Sequence, residues 1–442
     1  MSGSLILLAA VFVITLLIGV PVVWSLALTS MVALASIPGM ADTFLAQRMQ
    51  AGTEQYSLLA IFFFMLAGAI MQHGGIATRL IRFAKALMGS VRGGLSIVAI
   101  IACMFFAALS GSSVATTAAI GSILYPELVD EGYDPGYAAA LTVAGGTLGI
   151  VIPPSIVFVV YGTTVNTSVA DLLMSGVMPG ILAGIALCVY CYIYAVRHDI
   201  KPKGKFSLHE LASATKSSIW AIIMPVIVLG GIYAGVFTPT ESAAVACIYG
   251  LIVSCFVYRE LKFDNLIRIS IDSVKSTANV LMIIMAAKLF SYVLTRNGIP
   301  VMLTNALASV ITSKVTFLIA LNILLLLLGM IMDAAPIILI VAPIIYPIAV
   351  SFGIDPVQLG CIVVFNLSVG QATPPFGLCL FAAQPVTKQT IATLSAKTMP
   401  FVILLMGMVL LTSFVPSISM FIPKSSRIAE ILFLISTAPS FV

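Results

Sequence analysis

Long apolar segments separated by short polar ones run along the whole chain, and their lengths predict helices that cross a membrane. Two segments are interrupted near the middle: residues 4–36 at a Gly-Val-Pro sequence, and residues 219–257 at positions 235–241. Glycine and proline there favour a pair of tightly linked helices in each case. Four further segments have the length of one span: residues 57–72, 172–196, 277–295 and 396–420. The pattern predicts an all-helical protein.

Two amphipathic stretches follow single spans, residues 75–92 and residues 296–313. Each is predicted to lie along the membrane interface. In the linker at 238–241, Thr238 and Glu241 have the spacing of a helix-capping box, which gives Glu241 a structural explanation.

Two apolar segments fit neither one span nor two. Residues 93–126 carry no charge and have Ser-Gly-Ser-Ser at their centre, positions 110–113. Residues 315–350 carry Asp333 near their centre. A re-entrant hairpin with a polar tip fits both segments.

Each predicted hairpin is followed by an apolar segment with two consecutive prolines, and the two copies are 221 positions apart. Residues 149–154 read GIVIPP and residues 370–375 read GQATPP. At the same offset Tyr-Pro at 125 and Gly-x-Asp-Pro at 132 recur, and Ser112 corresponds to Asp333. The chain therefore contains an internal repeat.

Composition agrees with this pattern: 61% of the residues are hydrophobic, 8% are charged, and the mean hydropathy is +1.17. These values indicate a multi-pass protein of the lipid bilayer with about ten transmembrane helices plus two hairpins. The net charge of +5 is small and lies in loops, so we expect no nucleic-acid partner. The N-terminus has no positively charged region before its apolar run, so that run should remain in the mature protein. We expect a bacterial inner (cytoplasmic) membrane location.

The basic residues predict the orientation of the loops. Residues 197–216 and 75–92 are rich in lysine and arginine and are predicted to be cytoplasmic. The repeat-mate of the second, 296–313, has only Arg296, whereas residues 259–275 have four basic residues and their mate 37–56 has one. Equivalent loops thus lie on opposite sides. The predicted fold class is an all-α polytopic membrane protein with inverted repeats, as in secondary transporters.

The prolines suggest a site. A proline lacks the N–H that would bond the carbonyl four residues earlier. Pro153 and Pro154 should release the carbonyls of Gly149 and Ile150, and the second pair, Pro374 and Pro375, those of Gly370 and Gln371. A bare carbonyl in hydrocarbon is costly, and a desolvated cation is its natural partner. The alternative is that the prolines only kink two helices.

Polar side chains at the hairpin tips could complete two such sites. Asp333 is either a cation ligand or the N-cap of the returning helix, and it could be both. Ser110, Ser112 and Ser113 could bind Na⁺ or a substrate carboxylate, or could simply pack helices. Thr373 could add a hydroxyl. Na⁺ prefers such oxygen ligands, so we expect no cofactor but two or more coupling Na⁺ ions.

Three residues near these segments have open roles. Ser155 begins a half-helix whose positive end could receive an anionic substrate. Arg296 could lie at the interface or attract an acid, and Lys288, in the middle of a span, needs either an ion pair or a path to the lipid surface. No Ser-His dyad, HExxH or Walker sequence is present, so neither an enzyme nor an ATP-driven pump is favoured.

Three stretches resemble the large membrane subunit of the tripartite ATP-independent periplasmic (TRAP) transporters. They are SGSSVATTAAIGSILYPEL at 110–128, GGTLGIVIPPSIVFVVYG at 145–162, and the run from GMIMDAAPIILIVAPI to GQATPPFGLCLF between 329 and 381. The resemblance implies Na⁺-driven uptake of an organic acid, such as sialic acid or a C4-dicarboxylate. It also implies two partners: a small four-helix membrane subunit, expected here as a separate chain, and a periplasmic substrate-binding protein.

The resemblance also assigns residues and parts. Positions matching those for Na⁺ or substrate are Ser110, Ser112, Gly149, Pro153, Asp333, Gly370, Thr373 and Pro374, while Ser155, Glu241 and Arg296 match positions linked to function. It implies an elevator, with residues 93–168 and 314–390 as the moving unit. Residues 1–92 and 169–313 are then scaffold, and residues 391–442 the last helix and a tail. The alternatives are a stand-alone Na⁺/anion symporter of related fold, or less readily a channel or structural protein.

Overall fold

The computed structural model describes residues 2–35, 42–201, 207–299, 301–302 and 313–425, and its regular structure is helical. In chain order the helices are α1 (Ser2–Leu17), α2 (Val22–Ala35), α3 (Asp42–Ala51), α4 (Leu59–His73), α5 (Ile76–Met88), α6 (Gly94–Ser110), α7 (Ser113–Asp130), α8 (Pro135–Val151), α9 (Ile156–Val165), α10 (Val169–Arg197), α11 (Leu208–Tyr233), α12 (Pro239–Ile252), α13 (Phe263–Arg296), α14 (Lys314–Gly329), α15 (Ala334–Ser351), α16 (Pro356–Gly370), α17 (Leu378–Thr387) and α18 (Ile391–Phe414). Residues 416–425 are helical as well. The all-helical prediction is confirmed.

The two interrupted segments are pairs of linked helices, as predicted. The chain turns between α1 and α2 at Gly19, which has a φ of +86°, a value that favours glycine. Between α11 and α12, Thr238 caps the second helix and Glu241 bonds back to the Thr238 N–H. The capping box is therefore present, and it fixes where α12 begins.

Both hairpins form, and their helices begin at corresponding positions. α6 and α7 meet at Gly111, and α14 and α15 meet at residues 330–333. Ser112 is the N-cap of α7 and Asp333 the N-cap of α15, so the predicted equivalence of the two tips is confirmed. Outside the tips, Asp134 and Asp355 are the N-caps of α8 and α16, and they accept from the N–H groups of Tyr137 and Val357.

The helices that lead to the two proline pairs lie at the centre of the molecule. Nearly every residue of α8 and α16 is buried. The two helices touch where the Ser368 hydroxyl donates a hydrogen bond of 2.5 Å to the Thr147 carbonyl. These two residues are 221 positions apart, and a residue that contacts its own counterpart must lie next to the axis relating the repeats. The repeat axis therefore passes between α8 and α16.

By length and composition, seven helices of the described residues can cross a membrane, or eight if the pair α8 and α9, bent by 41°, is one span. One of the seven is α15, the returning arm of the second hairpin. The predicted figure of about ten also includes shorter apolar helices such as α2, α16 and α17.

The spans also give the relative orientation of the repeats. Five of them, α4, the α8–α9 pair, α10, α11 and α12, separate the start of α4 from the start of α13. A re-entrant hairpin returns the chain to the side of the membrane from which it came, so only these five spans change the side. Because five is odd, α13 begins on the opposite side of the membrane from α4. Since the second half of α13 is the repeat-mate of α4, the halves are inverted.

Two segments differ from the predicted loops. Residues 259–275 were expected to be a loop, but α13 begins at Phe263 and runs on to Arg296. Its repeat-mate 37–56 contains α3. The polar first part of α13 is a helical extension of the span outside the bilayer, since a helix need not end at the membrane surface.

The amphipathic stretch 75–92 contains α5, and its charges join it to other parts of the chain. Arg79 pairs with Glu260, Arg82 with Glu210 and Lys85 with Glu127. The last of these contacts reaches the first hairpin, on α7. Most of the corresponding stretch, 296–313, and the tail after residue 425 lie outside the described residues.

Candidate functional site

The first hairpin tip lies against the first proline pair. A Cβ added to Gly149 would lie 2.4 Å from the Ser112 carbonyl oxygen, and one added to Gly111 would lie 2.9 Å from the Pro154 carbonyl oxygen. Gly111 has a φ of +60°. Glycine is required at both positions because the two backbones approach too closely for a side chain. The structure thus brings the tip and the broken helix together, as the sequence predicted.

Hydroxyl groups gather at this tip. The Ser110 and Thr116 hydroxyls are 2.9 Å apart, and the Thr116 hydroxyl donates to the Ser112 carbonyl at 2.8 Å. The Ser112 hydroxyl accepts from the Ala115 N–H as the cap of α7. Ser113 is turned differently: its hydroxyl donates to the Thr147 carbonyl at 3.3 Å. Ser110 and Ser112 therefore face the tip, while Ser113 connects the tip to the repeat axis.

The first proline pair also frees the carbonyls that the sequence predicted. Among the described residues, no hydrogen bond ends on the carbonyl of Gly149 or Ile150. The α8 helix ends at Val151, just before Pro153, and α9 begins beyond Pro154. Two unpaired carbonyls next to a cluster of hydroxyls form a group of oxygen donors in an otherwise apolar region.

Ser155 begins α9, but its side chain does not cap the helix. The residue is 0% exposed, and its hydroxyl has no hydrogen-bond partner among the described residues. A buried, unpaired hydroxyl at the positive end of a helix is arranged to meet a ligand oxygen or an anion.

The second tip carries the carboxylate. The Asp333 Oδ1 atom accepts from the Ala334 N–H at 2.7 Å and from the Gln371 side-chain Nε2 at 2.8 Å. Asp333 is exposed, whereas Gln371 is buried. Close by, a Cβ on Gly370 would lie 2.7 Å from the Gly329 Cα, so this tip and its broken helix also touch through their backbones.

One prediction about the second proline pair is wrong. The carbonyls of Gly370 and Gln371 are not free: the first accepts from the Thr373 N–H and the second from the Cys379 N–H, both at 2.9 Å. The lost helical bonds are replaced because the chain tightens by one residue at Thr373 and then folds back after Pro374. The Thr373 hydroxyl is buried and donates to the Val369 carbonyl at 2.7 Å. Neither of these two main-chain carbonyls is therefore available as a ligand at the second tip.

The structure places Lys288 and Arg296 away from the tips. Lys288 donates to the Thr163 carbonyl, at the C-terminal end of α9, at 3.3 Å. This is neither of the two expected arrangements, because a helix C-terminus, and not an acid or the lipid surface, receives the ammonium. Arg296 is exposed and donates to the Tyr292 hydroxyl at 3.1 Å. Among the described residues, no hydrogen bond or ion pair joins Arg296 to either hairpin tip.

Sequence reasoning missed two features. Thr116 lies one turn into α7, where its hydroxyl faces back to the tip, and only the helix period could have indicated it. The contact between Thr147 and Ser368 could have been found because the residues are repeat-mates and both carry a hydroxyl.

The donors as a group favour one kind of ion. Among the described residues, no cluster of three or more histidine, cysteine or acidic side chains exists that could hold a metal ion. The two tips offer hydroxyls, amide-type carbonyls and one carboxylate. Such neutral or singly charged sets of oxygens suit hard cations of low charge.

Comparison with known proteins gives a family match over most of the chain. A family model described as "Tripartite ATP-independent periplasmic transporter, DctM component" matches residues 9–418. A Pseudomonas aeruginosa protein named C4-dicarboxylate TRAP transporter large permease protein DctM is 43% identical over 380 residues, covering 86% of this chain and 89% of that protein. A Haemophilus influenzae protein named Sialic acid TRAP transporter permease protein SiaT is 33% identical over 423 residues, covering 96% and 69%.

The fold is also found in a solved structure. The YdaH transporter of Alcanivorax borkumensis superposes with a TM-score of 0.64 at 16% identity, covering 84% of this chain and 87% of that one. At this identity the likeness concerns the fold alone.

Proposed function

Because the chain belongs to the DctM component family of the tripartite ATP-independent periplasmic transporters, we propose that it drives uptake of an organic acid by coupling it to Na⁺. The chain is a large permease subunit of the bacterial inner membrane and not an enzyme. The coupling ion, the substrate, the motion and the partners are the parts that we infer.

One observation supports the proposed Na⁺ coupling: each hairpin tip contacts its own broken helix. Oxygen atoms lie close together at each of these two contacts, which we call the first and second junctions. The first junction offers the hydroxyls of Ser110 and Ser112 and the carbonyls of Gly149 and Ile150 beside Pro153. The second offers Asp333 with Gln371. These donors fit two hard monovalent cations, and burying such a cation offsets the cost of unpaired oxygens in an apolar region.

The substrate is proposed to bind between the tips as an anion. The α9 N-terminus presents free N–H groups, and the Ser155 hydroxyl beside them is buried and unpaired. Ser112 and Thr373 add hydroxyls from the two junctions. A carboxylate is the anion that such donors accept well, and the relatives' names mention a C4-dicarboxylate and sialic acid. Ser113 and Arg296 have weaker support, because their bonds lead elsewhere.

Transport is proposed to be an elevator. Residues 93–168 and 314–390 hold both junctions and the contact at the repeat axis, so they would move as one unit. Residues 1–92 and 169–313 would remain as the scaffold, with residues 391–442 as the last helix and tail. A rigid unit of this kind keeps both cation sites intact during the motion.

The family implies two protein partners: a small four-helix membrane subunit and a periplasmic substrate-binding protein. The stand-alone Na⁺/anion symporter is the other candidate, and the fold shared with the YdaH transporter does not decide between the two. The family match over residues 9–418 favours the tripartite system.

Reconstitution tests both proposals. Proteoliposomes containing the chain and its two partners should take up a carboxylate only under an inward Na⁺ gradient. Uptake that continues in Na⁺-free buffer would overturn the coupling. Uptake by the chain alone, without the binding protein, would instead favour the stand-alone symporter.

A further inference from the structure

The Gln371 side chain has an unusual position at the second junction. It is 2% exposed, and its Nε2 atom donates to Asp333 Oδ1 at 2.8 Å. Its other atom, Oε1, is buried and has no hydrogen-bond partner among the described residues. A buried amide oxygen without a partner is costly, so its presence calls for an occupant.

The amide orientation follows from chemistry. Exchanging Oε1 and Nε2 would place an oxygen acceptor against the Asp333 carboxylate oxygen, and two acceptors repel. With Asp333 ionised, the nitrogen must therefore face the carboxylate and the oxygen must face away from that bond. The unpaired Oε1 is a consequence of this arrangement.

The carboxylate has one oxygen left as well. Asp333 Oδ1 accepts from both Ala334 N–H and Gln371 Nε2, while no hydrogen bond among the described residues ends on Oδ2. The main-chain carbonyl of Gln371 is occupied by the Cys379 N–H. Of the oxygens of Asp333 and Gln371, the two that remain available are therefore side-chain atoms, and the two side chains already touch each other.

We propose that Gln371 binds the cation of the second junction through its side-chain Oε1, beside Asp333 Oδ2, and that its main-chain carbonyl takes no part. The Gln371 amide has two functions: its nitrogen orients the carboxylate, and its oxygen is a ligand. This inference rests on the proposed Na⁺ coupling and specifies one ligand of it.

The repeat makes the role specific to one site. The residue equivalent to Gln371 in the first half is Ile150, whose side chain has no oxygen. The first junction instead has unpaired main-chain carbonyls. Changing the Gln371 side chain should therefore weaken one cation site and leave the other.

Sodium-dependent thermal stability of the full chain in detergent tests the inference without any uptake assay. Gln371→Met removes the amide at similar length, and we expect the half-saturating Na⁺ concentration to rise about tenfold. Gln358→Met is the matched control. Gln358 lies on α16, the helix that Gln371 follows, it is also 2% exposed, and its side-chain Nε2 donates to the Ser413 carbonyl instead of to a tip residue. The control should melt at a lower temperature with an unchanged Na⁺ dependence. Potassium chloride replaces sodium chloride in the reference titration.

A second variant, Gln371→Glu, distinguishes the loss of a cation ligand from a general loss of folding. It keeps an oxygen at this position but sets a second carboxylate against Asp333, so the Na⁺-free variant should melt at a lower temperature than the wild type. A bound cation relieves this repulsion, so Na⁺ should raise the melting temperature of this variant more than that of the wild type. A purely structural role predicts that both Gln371 variants keep the wild-type half-saturation, and that result would overturn the inference. The proposed function, and not only this inference, would be overturned if Na⁺ did not stabilise the wild-type chain and uptake did not depend on Na⁺.

Discussion

Asp333 combines a structural and a proposed functional role in one carboxylate, and the two can be separated by mutation. Asparagine is as good an N-cap as aspartate but carries no charge. Asp333→Asn should therefore leave α15 capped and yet reduce Na⁺-dependent uptake by at least about tenfold, since the cation proposed at the second junction loses its charged ligand.

The control for this prediction is Asp355→Asn. Asp355 caps α16 by accepting from the Val357 N–H at 2.8 Å, outside the tips. The same substitution there should leave uptake and its Na⁺ dependence as in the wild type. Equal effects of both substitutions would mean that Asp333 is only a cap.

Glu241 allows a prediction about the capping box. The Thr238 backbone N–H and hydroxyl both donate to its carboxylate at 2.8 Å. Glu241→Ala removes this acceptor, so that variant should melt at a lower temperature than the wild type. Glu241→Gln keeps an acceptor oxygen at the same position and should melt close to the wild type.

Thermal melting of the wild type, Glu241→Ala and Glu241→Gln in the same detergent checks this, and an unchanged melting temperature of Glu241→Ala would mean that the box adds no stability. Uptake by the Glu241→Gln protein should survive, because glutamine can rebuild the capping box. Loss of uptake in a stable Glu241→Gln protein would mean that the residue has a role in transport.

Individual residues differed in how far the sequence revealed them. Caps and prolines act locally, so the N-cap at Asp333 and the free carbonyls at Gly149 and Ile150 were predicted, whereas Ser112 was predicted to lie at the tip but not to cap α7. The carbonyls of Gly370 and Gln371 were misjudged, because the N–H groups that pair them come from a tightened turn and from Cys379. Counting four residues back from a proline cannot reveal such bonds.

At the scale of elements, the contact between α14 and α16 depends on two glycines. A Cβ at Gly370 would lie 2.7 Å from the Gly329 Cα, so Gly370→Ala must push the tip away from the broken helix. We expect a loss of about 1–3 kcal/mol of stability and a loss of Na⁺-dependent uptake.

Gly407→Ala is the control for this prediction. A Cβ at Gly407, in α18, meets nothing within 4 Å, and alanine favours a helix by about 0.5–1 kcal/mol over glycine. Thermal melting should therefore shift in opposite directions for the two variants. A stabilised Gly370→Ala protein would contradict the close packing of this junction.

Elements were predicted well where their ends carry a chemical signal. The hairpins, the linked pairs and the capping box all have glycine, proline or a cap at their ends. The start of α13 was misplaced because residues 263–275 are polar, and polarity alone does not distinguish a loop from an exposed helical extension. The partner of Lys288 was missed because it lies on α9, far away in sequence.

For the whole molecule, the repeat allowed the architecture to be predicted before any contact was known. Two proline pairs, two polar tips and the loop charges were enough. Equivalent loops that differ in their content of lysine and arginine must lie on opposite sides of the membrane, and this makes the halves inverted. The location of the repeat axis could not be predicted, since the Thr147–Ser368 contact depends on how two buried helices cross.

The elevator hypothesis predicts that two cross-links will have opposite effects. The Lys288 ammonium contacts the Thr163 carbonyl, which joins the proposed scaffold helix α13 to the proposed moving helix α9. Thr147 and Ser368 touch inside the proposed moving unit. The contact spans the length of a lysine side chain, so a reducible bifunctional thiol reagent is used instead of a direct disulfide. In a background without the seven native cysteines, such a cross-link between cysteines at 163 and 288 should stop uptake, because the contact must break during the motion. A cross-link between cysteines at 147 and 368 should allow it. Uptake by the cross-linked 163–288 protein, measured before and after reduction of the link, would exclude a moving unit with these boundaries.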